Sequence, residues 1–383
     1  YAEKRKGHRH RRPKRRRQGR SGGIPLVVPE NGYEWPTFTT ACWGDCCILV
    51  PWAEYQARGD VELLRRAYPT MKRFLASVKR WAARLSVGNQ RYIWKLPFQF
   101  GDWCAPEGGT KQWMRKGPWI ATAYWANSCR IVAEVAELLG DAVEAETLRA
   151  LRKKIISAYR AAFTDGHGKL TEEFQTAYVL PLYFGMAEGE EARQMADHLA
   201  RLVTEAGNKL TTGFPGTPFL LFALSDHGHL NKAYDVLLQE GFPSWLYEIR
   251  TGATTVWERW DAVLDNGEPK LDAVGSLNHY AYGAVADWLY RRVLGIEAIL
   301  AGYRRFRVAP MPGGGLQWAK GSVGTPFGEI SAAWHIKESQ FSMDVSVPQG
   351  TVCDLKLPDA CEKILEAGLH HVECLLPCKG EER

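Results

Sequence analysis

The chain has 383 residues, 45% apolar and 24% charged, with a formal net charge of +6. That length supports one large domain or two to three small ones with a full core, and the apolar share is ordinary for a globular protein. The charge belongs to one end. Residues 1–20 hold eleven Lys/Arg and one acid, so the remainder carries 38 basic and 42 acidic residues and is mildly acidic. Nothing after the tail reads as a nucleic-acid module, and no nucleic-acid partner is expected.

The first segment, residues 1–22, is a basic tail with almost no apolar residues between Lys4 and Arg20. Such a stretch does not fold alone. Its readings are a solvated extension, a stretch foreign to the domain, or an arm for nucleic acid or localisation. No apolar run approaches the ~20 residues that span a bilayer, and no hydrophobic region follows the basic start. No membrane association is expected. Nine cysteines include the adjacent pair Cys46 and Cys47 but no CxxC or Cys/His zinc spacing. Reduced thiols, a cytoplasmic location and the absence of a metal or cofactor are the expectations.

From about Asp45 to Leu294 apolar residues recur at three- and four-residue spacing. Helices are expected over 45–58, 60–85, 119–139, 141–163, 172–186, 189–206, 216–226, 229–240 and 277–294. Asp60, Asp141 and Thr171 stand as N-caps, while Gly59, Gly140 and Gly207 mark helix ends. Tight turns join 45–58 to 60–85, 119–139 to 141–163, 172–186 to 189–206, and 216–226 to 229–240. Longer Gly/Pro/Trp-rich loops separate these pairs. The fold class is therefore mainly α, a toroid of helical hairpins over residues 23–297 whose loops form a pocket at one rim. Four hairpins and one further helix fall short of the six of a closed (α/α)6 toroid, so the first helices are expected to be missing.

After Gly295 the period changes to two, with Gly/Pro turns such as Pro312-Gly313-Gly314-Gly315 and Pro348-Gln349-Gly350. Residues 298–383 are expected to form a small antiparallel β-sandwich.

Fifteen tryptophans mostly imply a large core, but Trp35, Trp103, Trp113, Trp257 and Trp318 lie in Gly/Pro-rich stretches where core packing explains less. Two of these stretches also carry acids: Gly101-Asp102-Trp103-Cys104-Ala105-Pro106-Glu107 and Thr254-Thr255-Val256-Trp257-Glu258-Arg259-Trp260-Asp261. An indole face stacks on the C–H face of a sugar, and paired carboxyls deliver and remove protons at a glycosidic bond. Glu107 is read as a general acid desolvated by Trp103 and Trp113, or as a surface loop acid. Glu258, between two indoles and beside Arg259, is read as a functional carboxylate or a helix-start acid paired with that arginine. Asp102 suits sugar hydroxyls. His279 suits the same task at the start of the last inner helix. Asp45 either caps its helix or reaches the pocket. No phosphate loop, GxSxG or HExxH segment is present.

Five segments in register resemble the bacterial α-L-rhamnosidases of glycoside hydrolase family 78. They are Phe100–Glu107, Ile120–Tyr124, Thr254–Asp261, Ser276–Val285 and Ala309–Leu316. The resemblance covers about residues 24–375. It implies an (α/α)6 barrel with a β-sandwich, and inverting hydrolysis of terminal α-L-rhamnosyl bonds in glycosides or polysaccharides. Glu107 corresponds to the general acid and Glu258 to the general base, while Asp102 and His279 correspond to sugar-binding positions. Trp103 and Trp257 correspond to the pocket wall, and Trp260 and Asp45 complete the expected substrate-binding set. The sequence departs from the family in two respects. The family's β-domains and early Asp-Cys-Pro-Gln-Arg-Glu segment do not precede this barrel, and Thr110 to Pro118 lacks an acid expected among the sugar contacts. Another toroid glycosidase or lyase, or an inactive sugar-binding remnant, are the alternatives.

Overall fold

A computed structural model describes residues 22–26, 39–270 and 275–376. The tail up to residue 21 and Trp35 lie outside the described residues. Among them, no helix is long and apolar enough to cross a membrane.

The helical body is built from hairpins. Helix α1 (Cys46–Arg58) turns at Gly59 into α2 (Val61–Ala83), whose N-cap Asp60 accepts the Leu63 N–H at 3.1 Å. The short α3 (Thr110–Arg115) leads into α4 (Gly117–Leu138), which pairs with α5 (Ala142–Phe163). Asp141 caps α5 by accepting the Glu144 N–H. Helices α6 (Gln175–Tyr183) and α7 (Gly189–Glu205) form the next pair, and α8 (Thr217–Ser225) with α9 (Leu230–Leu237) another. Successive first helices touch: α1 meets α4, α4 meets α6, and α6 meets α8. Helices α4, α6 and α8 are buried on nearly every side, whereas α2, α5 and α7 keep a charged outer stripe. An apolar helix with no polar face belongs inside, and an amphipathic one belongs on the surface. The expected inner and outer layers follow from that difference.

Three local expectations are corrected. Thr171 caps no helix; its hydroxyl donates to the Phe163 carbonyl at 3.3 Å, closing a turn, and α6 starts at Gln175. Helices α3 and α10 (Trp245–Arg250) arise in stretches read as loop, the latter capped by Ser244. The helix expected over 277–294 is broken. Residues 276–279 are tied back to 255–258: the His279 N–H donates to the Val256 carbonyl and the Thr255 hydroxyl to the Leu277 carbonyl, at 2.8 and 2.5 Å. Helical bonding therefore begins only at a 3₁₀ turn (Ala281–Ala284), then α11 (Val285–Trp288) and a π-turn (Leu289–Leu294).

The sandwich comprises two four-stranded sheets. One holds β1 (Ile296–Ala298), β2 (Arg305–Val308), β6 (Val352–Lys356) and β7 (Glu362–Leu365), in that order. The other holds β3 (Trp318–Thr325), β4 (Gly328–Lys337), β5 (Gln340–Val347) and β8 (Gly368–Leu375), antiparallel throughout. A single parallel pair, β2 with β6, interrupts the antiparallel pattern of the first sheet. Buried Trp334 donates its indole N–H to the Val293 carbonyl at 2.8 Å, joining the sandwich to the helical body.

Candidate active site

The two acid-bearing loops meet. The first, residues 100–109, is fixed from beneath by Asp102, which is fully buried. Its Oδ1 accepts the Thr176 hydroxyl at 2.8 Å and the Gly213 N–H at 2.9 Å, and Oδ2 faces Lys116 Nζ at 3.4 Å. Burial pushes the Asp102 carboxyl upward, opposed by the Lys116 charge and by those hydrogen bonds. Both oxygens are thus engaged by the protein. The sequence expectation that Asp102 contacts sugar hydroxyls is corrected: it ties loop 100–109 to α6 and to loop 211–216. Close approach sets the glycines here. A Cβ at Gly101, where φ is +66°, lands 1.9 Å from the Trp113 carbonyl oxygen, and one at Gly213 lands 2.3 Å from that of Trp103.

Above Asp102 the loop turns its aromatic residues outward. Trp103 is half-buried and packs edge-on against Phe100 and Trp113, at 5.3 and 5.4 Å between ring centroids. The Trp113 indole N–H donates to the Glu107 backbone carbonyl at 3.0 Å, which orients the loop but leaves the carboxyl alone. Glu107 is exposed. Its expected desolvation by two indoles is corrected, because Trp113 is spent on the backbone and is itself buried.

The second loop runs from Thr254 to Asp261. The Glu258 N–H donates to the Ser276 carbonyl, and the Ser276 N–H returns to Glu258 Oε2, both at 2.8 Å. One carboxylate oxygen is therefore held, and Oε1 has no protein partner among the described residues. Arg259 pairs with Asp261 and lies over the Trp113 ring at 5.8 Å, so it does not neutralise Glu258. The Tyr282 hydroxyl donates to the Cys104 carbonyl at 2.7 Å, and the Phe214 N–H to the Trp103 carbonyl at 2.9 Å. Burial first, and then the charge of Glu258, push the Cys104 thiol up to about 12. Glu258 thus lies within electrostatic reach of the loop that carries Glu107.

His279 is half-buried and stacked between Phe214 and Tyr280, each at 5.0 Å and 13°. Its Nδ1 accepts the Ala281 N–H at 3.3 Å, which makes Nε2 the ring nitrogen turned toward other partners.

The remaining expectations do not fit. Trp260 is 1% exposed, stacked on Tyr282 at 4.1 Å and edge-on to Trp245 at 5.4 Å. It is a core ring supporting the loop from below and offers no face to a sugar. Trp257 is also buried, 4% exposed, in a small cluster with Ala262 and Val263. Asp45 neither caps α1 through its side chain nor reaches a surface; it is fully buried, accepting the Cys42 N–H at 2.9 Å and the Ser128 hydroxyl at 2.5 Å. Burial raises its carboxyl to about 6.

One acid escaped the sequence reading. Glu248 on α10 is 4% exposed; its Oε2 accepts the Trp257 N–H at 3.4 Å, and its buried Oε1 has no partner among the described residues. Burial raises it to about 8. Its only signal was a place in a short apolar run, Trp245-Leu246-Tyr247, ahead of the acid loop.

A ring of helical hairpins with two carboxylate loops gathered at the starts of its inner helices is the build of a six-hairpin glycosidase. The model of the bacterial α-L-rhamnosidase six-hairpin glycosidase domain matches residues 10–293, and that of the bacterial α-L-rhamnosidase C-terminal domain matches residues 295–369. The chain belongs to this family. It is 36% identical over 344 residues to an α-L-rhamnosidase of Formosa agariphila, covering 88% of this chain and 36% of that protein. Its fold superposes with TM-score 0.84 on a Streptomyces avermitilis α-L-rhamnosidase crystallised with L-rhamnose, at 32% identity and covering 93% of this chain and 35% of the other. An Aspergillus terreus α-L-rhamnosidase superposes with TM-score 0.86 at 30% identity, covering 94% and 41%. The chain thus spans roughly a third of the length of the bacterial relatives it matches.

Proposed function

We propose that the chain is the catalytic barrel and C-terminal β-domain of an inverting α-L-rhamnosidase acting on terminal rhamnosyl groups of glycosides or polysaccharides. One observation carries this reading: within a family of rhamnosidases, Tyr282, stacked on Trp260 of the Glu258 loop, bonds to Cys104 of the Glu107 loop, and both carboxyls stay accessible.

In this reading Glu107 donates its proton to the glycosidic oxygen as the bond to the sugar breaks. Glu258 removes a proton from a water approaching the opposite face of the ring. The Ser276 N–H fixes Oε2 and aims Oε1 at that water. Inversion requires a gap of ~6.5–9.5 Å between the carboxyls, room for one water. Charge builds on the ring in the transition state, and an anionic Glu258 left unpaired by Arg259 stabilises it. Trp103 supplies the stacking face and His279 Nε2 a donor for a ring hydroxyl. No step calls on a metal or cofactor.

The test is turnover of the nitrophenyl glycosides of α-L-rhamnose and α-D-glucose side by side, with proton NMR of the first-formed anomer. Rhamnoside turnover releasing β-L-rhamnose is expected. Turnover of the glucoside alone, or release of the α-anomer first, overturns the reading.

A further inference from the structure

The proposed reaction leaves one buried acid unused. Glu248 is 4% exposed, and its Oε1 meets no partner among the described residues. A carboxyl with a bare oxygen in the core is a cost that an apolar side chain of the same length avoids. Groups that break the burial rules in this way gather at functional sites.

Helix α10, which carries Glu248, is a strut for the Glu258 loop. Fully buried Ser244 caps it by accepting the Tyr247 N–H at 3.0 Å. The Trp245 indole N–H donates to the Tyr282 carbonyl at 2.9 Å, and the Tyr247 hydroxyl to the Val263 carbonyl at 3.0 Å. The Ala253 N–H donates to the Glu248 carbonyl at 2.9 Å. The helix thus grips the chain on both sides of Glu258, at 253 and at 263.

The Glu248 side chain adds a third grip, one residue from the proposed base. The His279 N–H reaches the Val256 carbonyl and the Glu258 N–H reaches the Ser276 carbonyl, so positions 256 and 258 bond toward 276–279. Alternate residues of a paired segment turn their backbone groups to opposite sides. The Trp257 N–H accordingly turns away from 276–279 and meets Glu248 Oε2 at 3.4 Å. The backbone leading into Glu258 is held from both sides. Burial raises the Glu248 carboxyl to about 8, so in neutral solution it brings no second negative charge beside Glu258.

We propose that Glu248 is a positioning residue of the reaction: by holding the Trp257 amide it sets where the Glu258 carboxyl stands over the sugar. The catalytic consequence rests on the rhamnosidase reading above; the clamp on Trp257 does not.

The test compares Glu248→Met, which fills the same space without an acceptor, with Glu248→Gln, which keeps one. Both are assayed on nitrophenyl α-L-rhamnoside at a temperature where their melting curves show them folded, and exchange of the Trp257 amide is followed by NMR. In the Met variant kcat is expected to fall at least roughly ten-fold while KM stays within about two-fold. The Trp257 amide should exchange faster in that variant than in the parent. Gln should restore kcat to within about three-fold of the parent, because its amide oxygen still accepts the N–H. A merely structural Glu248 would lower the melting temperature of the Met variant and leave the kcat of the folded protein alone. That result overturns the proposal, as does a Gln variant as slow as the Met one. A parent that turns over no rhamnoside overturns the reaction instead. Amide exchange then judges the clamp alone, and an unchanged Trp257 rate in the Met variant overturns it.

Discussion

The Tyr282 hydroxyl donates a hydrogen bond of 2.7 Å to the carbonyl of Cys104, across 178 positions of sequence. Tyr282 is fully buried and stacked on Trp260, so the bond anchors loop 100–109 to the packed floor beneath the Glu258 loop. Replacing Tyr282 by Phe keeps the stacking and strands one buried carbonyl, a loss of about 1–3 kcal/mol. If the bond also sets the separation of the two carboxyls, kcat falls more than KM rises. A melting curve and steady-state kinetics check both; unchanged kinetics would show that the loops are positioned by other contacts.

Glu107→Gln and Glu258→Gln each retain shape while removing a proton donor or acceptor. A loss of about 10²–10⁴ in kcat is expected for each, with rhamnose affinity kept within a few-fold. The change at Glu107 should matter less for an aryl rhamnoside with a good leaving group than for an alkyl one, because a weakly basic leaving oxygen needs little protonation. The ratio of the two losses, measured on both substrates, assigns acid and base; equal ratios contradict the assignment.

Trp260→Ala tests the correction that this ring belongs to the core. Truncating a fully buried Trp should cost about 3–5 kcal/mol, seen as a lower denaturant midpoint. Trp103→Ala, at a half-buried ring, should cost far less stability and raise KM instead. The reverse pattern would return Trp260 to the sugar.

Glu248 gives a pH dependence with a defined sign. Its folded-state value is raised from 4.5 to about 8, so the folded chain holds this proton more tightly than the unfolded one. Its contribution is fully present below pH ~4.5 and is lost as the pH rises toward about 8. Glu248→Gln stays neutral throughout and still accepts the Trp257 N–H through its amide oxygen. The melting temperature of the variant relative to the parent should therefore climb between pH 5 and pH 8, and a flat difference contradicts the buried neutral acid.

The chain by itself disclosed the hairpins, because helix period and turn chemistry are local: Asp60, Asp141 and Gly59 act where the sequence placed them. It likewise disclosed the two acid loops, since indoles and carboxyls in Gly/Pro-broken stretches have a short-range signature. Only tertiary structure decided which of those residues face outward. Asp102 and Trp260 sit in the same motifs as Glu107 and Glu258, and Asp45 opens an inner helix, yet partners distant in sequence, Thr176, Tyr282 and Ser128, draw them inward. The break before Ala281 has the same origin: the 276–279 segment bonds to 255–258, and that competition with helix formation has no mark in local periodicity. Local preference writes the elements, whereas the burial of a particular side chain depends on what the rest of the chain brings against it.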